Sequence, residues 1–96
     1  MKIIRAQEFS AWLEEENIRS QVQVLDRIRK IEEYDHFGEC KYLGNKLSEL
    51  KWKSGTRIYF ARTGENEILL LLGGDKNGQN KDIVKAYKIL KRYQKD

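Results

Sequence analysis

The sequence predicts an α+β domain: a small antiparallel sheet with two N-terminal helices and a C-terminal helix. Apolar residues recur at helical spacing through the first third of the chain and again in its last fifth. Between these stretches lie β-rich runs separated by glycine-containing turns. Helices grouped at the start with a meander behind them favour helices on one face of a small twisted sheet, leaving the other face partly open. The length of 96 residues suits one domain, 1–96, with one modest core.

Lys2 to Arg5, with Ile3 and Ile4 apolar, reads as a short edge strand. Phe9, Trp12 and Leu13 stand at i, i+3 and i+4, one face of a helix near 7–16. Asn17 breaks that helix and caps the next. Ile18, Val22, Leu25, Ile28 and Ile31 then recur at steps of four and three, a helix over 18–34. Gly38 and Gly44 punctuate a loop. Strands are expected near 47–53, 56–62 and 67–72, with turns at Ser54-Gly55 and Gly64 to Asn66. The run Ile68 to Leu72 suits a central strand buried on both faces, ended by Gly73-Gly74. Ile83, Ala86, Tyr87, Leu90 and Tyr93 form one face of a last helix near 79–93, and Lys81, Lys85, Lys88, Lys91, Arg92 and Lys95 the other. Trp12, Ile28, Leu50, Ile58 and Leu70 are expected in the core, and Tyr34, Phe37 and Trp52 in it or at its rim.

Composition narrows the function. No apolar run approaches the roughly 20 residues of a membrane span, and the N-terminus lacks the apolar stretch of a signal peptide. A cytoplasmic protein is therefore expected. Single Cys40 and single His36 argue against a disulfide or a cluster of metal ligands, so no metal or cofactor is expected. Residues 1–40 hold 6 Lys/Arg against 9 Asp/Glu, and residues 41–96 hold 13 against 6. The second half therefore points to a polyanion-binding surface.

Within that half, Lys51 and Lys53 stand two apart in an expected strand, so both face the same way, with Leu50 and Trp52 opposite. Arg57 follows the next turn, and Lys76 follows the third strand. Four cations thus converge on one sheet face, and crowding them is unfavourable unless an anion such as phosphate fills the gap. The plainer alternative is a solvated strand edge protected by lysines. Glu49 shares the face and would partly neutralise it. Tyr59 shares it with Arg57 and is placed to stack a base. Asp75, Gln79 and Asp82 either cap the last helix or orient the cations.

Glu49-Leu50-Lys51, Gly55 to Phe60, and Leu70 to Lys76 with Gln79 and Asp82-Ile83 together resemble the RelE/ParE toxin superfamily. Phe9-x-x-Trp12-Leu13, Arg27-Ile28, Phe37-Gly38 and Lys41-x-Leu43-Gly44 are similar to its phage-Gp49/HigB-like branch of addiction-module killer proteins. The resemblance spans nearly the whole chain and implies a RelE-like fold. It also implies the toxin of a bacterial type II toxin–antitoxin system, a ribosome-dependent mRNA interferase. The implied partners are a cognate helix-turn-helix antitoxin and mRNA on the ribosome, with operator DNA reached only through the antitoxin. Lys51, Lys53, Arg57 and Lys76 then fall on the catalytic basic cluster, with Lys41, Tyr59 and Gln79 expected to bind RNA. The catalytic tyrosine of RelE has no counterpart at the matching place, and lysine replaces arginine at position 76.

The implied chemistry needs no metal. A 2′-hydroxyl attacks the adjacent phosphorus, the 5′-oxygen leaves and takes a proton, and positive charge steadies the phosphorane. A lysine crowded by other cations gives up its proton more readily and can act as base. Arg57 would hold the non-bridging oxygens, and Lys76 or a ribosomal group would protonate the leaving oxygen. The alternatives are a ParE-like gyrase poison, which lacks this basic cluster, and a non-catalytic nucleic-acid-binding module.

Overall fold

The computed structural model describes residues 1–94, so Lys95, expected on the last helix, lies outside the described residues. The elements are β1 (Lys2–Arg5), α1 (Gln7–Glu15), α2 (Ile18–Tyr34), β2 (Cys40–Gly44), β3 (Leu47–Lys51), β4 (Thr56–Gly64), β5 (Glu67–Asp75), a short 3₁₀ turn (Lys76–Gly78) and α3 (Gln79–Tyr93). They form one sheet in the order β1-β5-β4-β3-β2. β2 to β5 make an antiparallel meander, and β1 lies parallel to β5 at one edge. The class is α+β with the expected helices, but the meander has a fourth strand, β2, where a loop was expected.

Both faces of the sheet are covered, rather than one. Phe9 and Leu13 of α1 and Val24, Ile28 and Ile31 of α2 pack on Leu50, Ile58, Phe60, Ile68 and Leu70. Ala86, Ile89 and Leu90 of α3 pack on the opposite face, over Leu47, Tyr59, Ala61, Leu69, Leu71 and Leu72. β5, flanked by β1 and β4, is buried on both sides as its unbroken Ile/Leu run requires.

Local chemistry explains the boundaries. Asn17 caps α2, its side chain accepting from the Ser20 amide at 2.8 Å. α2 carries two apolar stripes. The inner one, Val24, Ile28 and Ile31, is in the core, whereas Ile18 and Val22 are 79% and 61% exposed. The expected single stripe joined residues from both. Trp12, Phe37 and Trp52 sit at the rim of the helix-side core, while Tyr34 points outward, 70% exposed. β5 continues three residues past Leu72 because Gly73 and Gly74 are points of close approach, not a stop. A Cβ on Gly73 would lie 2.2 Å from the Trp12 ring, and one on Gly74 2.0 Å from an Asp82 carboxylate oxygen.

Candidate active site

The site lies on the α3 side of the sheet, at the end where β3 stops and β4 begins. Lys51 and Arg57 are direct cross-strand partners, and Glu49 and Tyr59 are the next such pair on the same face. Lys41 of β2 stands opposite Glu49 on its other side. Alternation from the buried Leu47 carries Glu49 and Lys51 to this face and Leu50 to the helix-side core, so the expected facing of β3 holds.

Like charges opposite one another repel. The Arg57 Nη1 donates to the carbonyl oxygens of Trp52 at 3.2 Å and Thr56 at 3.0 Å. Beneath the cations is a buried polar layer. Glu49 is fully buried, and Gln79 Nε2 donates to its Oε2 at 2.6 Å, tying β3 to the first turn of α3. Glu49 Oε1, Arg57 Nε and the Tyr59 hydroxyl are buried without a partner among the described residues. Burial raises the Tyr59 pKa well above the usual phenol range, reinforced by the Glu49 and Asp82 carboxylates, so Tyr59 stays neutral. Burial also raises Asp82, with Asp75 adding to it and Lys85 and Lys81 opposing.

Lys76 reaches this end of the sheet from β5. Its amide donates to Gly55 O at 2.8 Å, and its stem passes over the Trp52–Gly55 turn, 3.6 Å from where a Gly55 Cβ would stand. Asp75 caps the 3₁₀ turn, accepting from the amides of Asn77 and Gly78.

Three expectations change. β3 ends at Lys51, so Lys53 sits exposed in the turn and strand alternation does not place it beside Lys51. Tyr59 has no exposed surface, because α3 lies over it, so it cannot stack a base. Gln79 is engaged with Glu49 rather than free for RNA. Lys41 is exposed on the edge strand. The polar layer itself was missed. Its signal was present, since Glu49 is the one acid at an inward position of β3.

Residues 11–94 match the family model described as phage derived protein Gp49-like. A protein of Haemophilus influenzae described only as uncharacterized is 32% identical over 81 residues, which cover 81% of each chain. The crystal structure of the isolated Escherichia coli RelE toxin is similar in fold, with a TM-score of 0.65 and 13% sequence identity. That match covers 88% of this chain and 95% of that one. The chain thus has the fold of RelE, and it belongs to the Gp49-like family of phage-derived proteins.

Proposed function

We propose that this chain is the toxin of a bacterial type II toxin–antitoxin pair and that it cleaves messenger RNA on the ribosome. The observation that carries the reading is the pairing of Lys51 with Arg57 at one sheet end, with Lys76 arriving from β5 and no acidic partner forming an ion pair with any of the three among the described residues. Cations brought together without carboxylates at their tips suit a phosphate placed between them. The family and the RelE fold support a toxin.

The reaction assigned to the site is transesterification within RNA. The 2′-oxygen forms a bond to phosphorus, the bond from phosphorus to the 5′-oxygen breaks, and a 2′,3′-cyclic phosphate and a 5′-hydroxyl result. Lys51 takes the 2′-hydroxyl proton. Arg57 faces the non-bridging oxygens, where charge develops most. Lys76 gives a proton to the 5′-oxygen. Positioning of the message by the ribosome supplies much of the remaining rate. Lys41 and Lys53 lie at the margins, where they add attraction for the RNA backbone. The buried Glu49 and its partner Gln79 hold β3 against α3. A helix-turn-helix antitoxin neutralises the protein by bringing acidic and apolar groups to this basic end, and it alone contacts operator DNA. The protein acts in the cytoplasm.

The test is inducible expression in a bacterial host with mapping of mRNA ends. Growth arrest with new 5′ ends inside translated reading frames supports the reading. Growth arrest with intact messages and broken DNA moves the protein to gyrase poisoning.

A further inference from the structure

Arg27 stands on the helix side of the sheet, across it from Arg57, and the chemistry above makes no use of it. It leaves α2 beside the core residues Val24 and Ile28 and is only partly exposed. Its Nε donates to Phe37 O at 2.9 Å, Nη1 to Lys51 O at 2.5 Å and Nη2 to Glu39 O at 2.5 Å. Its guanidinium carbon lies 4.3 Å from the centre of the Trp52 ring. Gly38, at φ +72°, lets the backbone come against the same group; a Cβ there would stand 3.2 Å from two of its nitrogens. No carboxylate forms an ion pair with Arg27 among the described residues. Burial works against the charge and lowers its pKa, with Cys40 and Glu39 opposing.

A half-buried cation bound to three carbonyls and an aromatic face, but to no acid, is a poor way to gain stability alone. It is a good way to fix geometry, because a guanidinium presents donors in a rigid planar fork and an ammonium does not. What it fixes is the segment that carries the site. Arg27 holds the Lys51 carbonyl and the Trp52 ring from one side of the sheet; Arg57 holds the Trp52 carbonyl from the other. The Lys51 amide donates to Glu39 O, the oxygen that Arg27 also grips. The two arginines therefore clamp consecutive peptide units.

We propose that Arg27 is a positioning residue, clamping the Lys51–Trp52 segment so that Lys51 and Arg57 face one phosphate. The proposal rests on the cleavage reading, and its test separates the two. Arg27→Ala and Arg27→Lys are compared with wild type for cleavage of a translated message at varied ribosome concentration, alongside circular dichroism. Both variants lower kcat by about 10–100-fold, the scale of a small misplacement at a reacting centre, with KM little changed. Lysine fails to substitute, and guanidinium added at sub-denaturing concentration restores part of the Arg27→Ala rate. Amide NMR of Arg27→Lys reads the geometry with no RNA present: the Lys51 and Arg57 resonances shift and those of β1 do not.

A folded Arg27→Lys with wild-type kcat overturns the proposal. So does a rate loss confined to KM, or one that only tracks the fraction unfolded. Unmoved Lys51 and Arg57 resonances overturn it whatever the RNA assay gives. A wild-type protein that cuts no message, but whose Lys51 and Arg57 resonances move on Arg27→Lys, overturns the cleavage reading while supporting the clamp.

Discussion

The two faces of the sheet are built from the same strands and do different work. On the α1/α2 face, Leu50, Ile58, Phe60, Ile68 and Leu70 meet helix residues that are equally apolar. On the α3 face the apolar packing of Leu47, Ala61, Leu69 and Leu71 gives way, toward one end, to Glu49, Lys51, Arg57, Gln79 and Asp82. Burying polar groups without full pairing is unfavourable, by about 1–3 kcal/mol for each unsatisfied one. Three such atoms cluster at this end of the second face. The second face therefore carries, at one end, buried polar groups that a purely structural domain would have replaced with hydrocarbon.

Substitutions can break or sharpen that division. The largest effect is expected on the first face. Leu70 is fully buried, and Leu70→Ala removes apolar area and leaves a cavity, costing about 2–5 kcal/mol. Chemical denaturation should show the midpoint falling with the slope unchanged. An equal loss from Arg57→Ala would erase the distinction between the faces.

Glu49→Ala is the next largest. It strips the Gln79 amide of its acceptor and removes the one buried acid beneath the cations, lowering stability by about 1–3 kcal/mol. A double-mutant cycle with Gln79→Ala should show coupling between the two positions. Additive losses would mean that the 2.6 Å hydrogen bond contributes nothing to holding α3 on β3.

Asp82→Asn should act in the opposite direction. The folded-state pKa of Asp82 is raised, first by burial and then by Asp75, so the fold disfavours the ionised form. Its contribution is fully present below the unfolded pKa and is lost as pH rises through the folded one. The asparagine variant should therefore melt slightly above wild type at neutral pH, with the gain vanishing in acid. A gain that persisted in acid would assign it to something other than charge.

Lys91→Ala, on the exposed side of α3, is expected to have the smallest effect. It should weaken ribosome binding modestly, and the difference should shrink as salt rises. A salt-independent loss would place Lys91 in a specific contact.

The same division explains what could be read from the chain. The first face was legible because its helices announce themselves: Asn17 marks a cap, and Phe9, Leu13, Ile28 and Ile31 fall at core positions. β2 was not legible. Its residues Cys40, Lys41 and Tyr42 are exposed on an edge, and its hairpin turns through Asn45 and Lys46, both at positive φ without a glycine between them. Gly73-Gly74 reads as a strand end, because the approach of Trp12 and Asp82 that requires glycine is tertiary. Lys51 and Arg57 could be paired from turn length and alternation. Lys53 could not, since nothing local shows that β3 stops at Lys51. The burial of Tyr59 and the bond from Gln79 to Glu49 depend on which face α3 covers, a choice that connects residues 30 apart. Local pattern does not encode that choice.

The central claim is that the cations at the polar end cleave RNA while the apolar face holds the fold. Primer extension on a translated message, run with wild type, Arg57→Ala and Lys76→Ala beside circular dichroism of each, tests it most directly. Arg57→Ala should lose about 10²–10³-fold in cleavage rate, the scale for one charge-stabilising group, with its spectrum and melting little changed. Lys76→Ala should also be impaired. Cleavage at the wild-type rate by both folded variants would contradict the account.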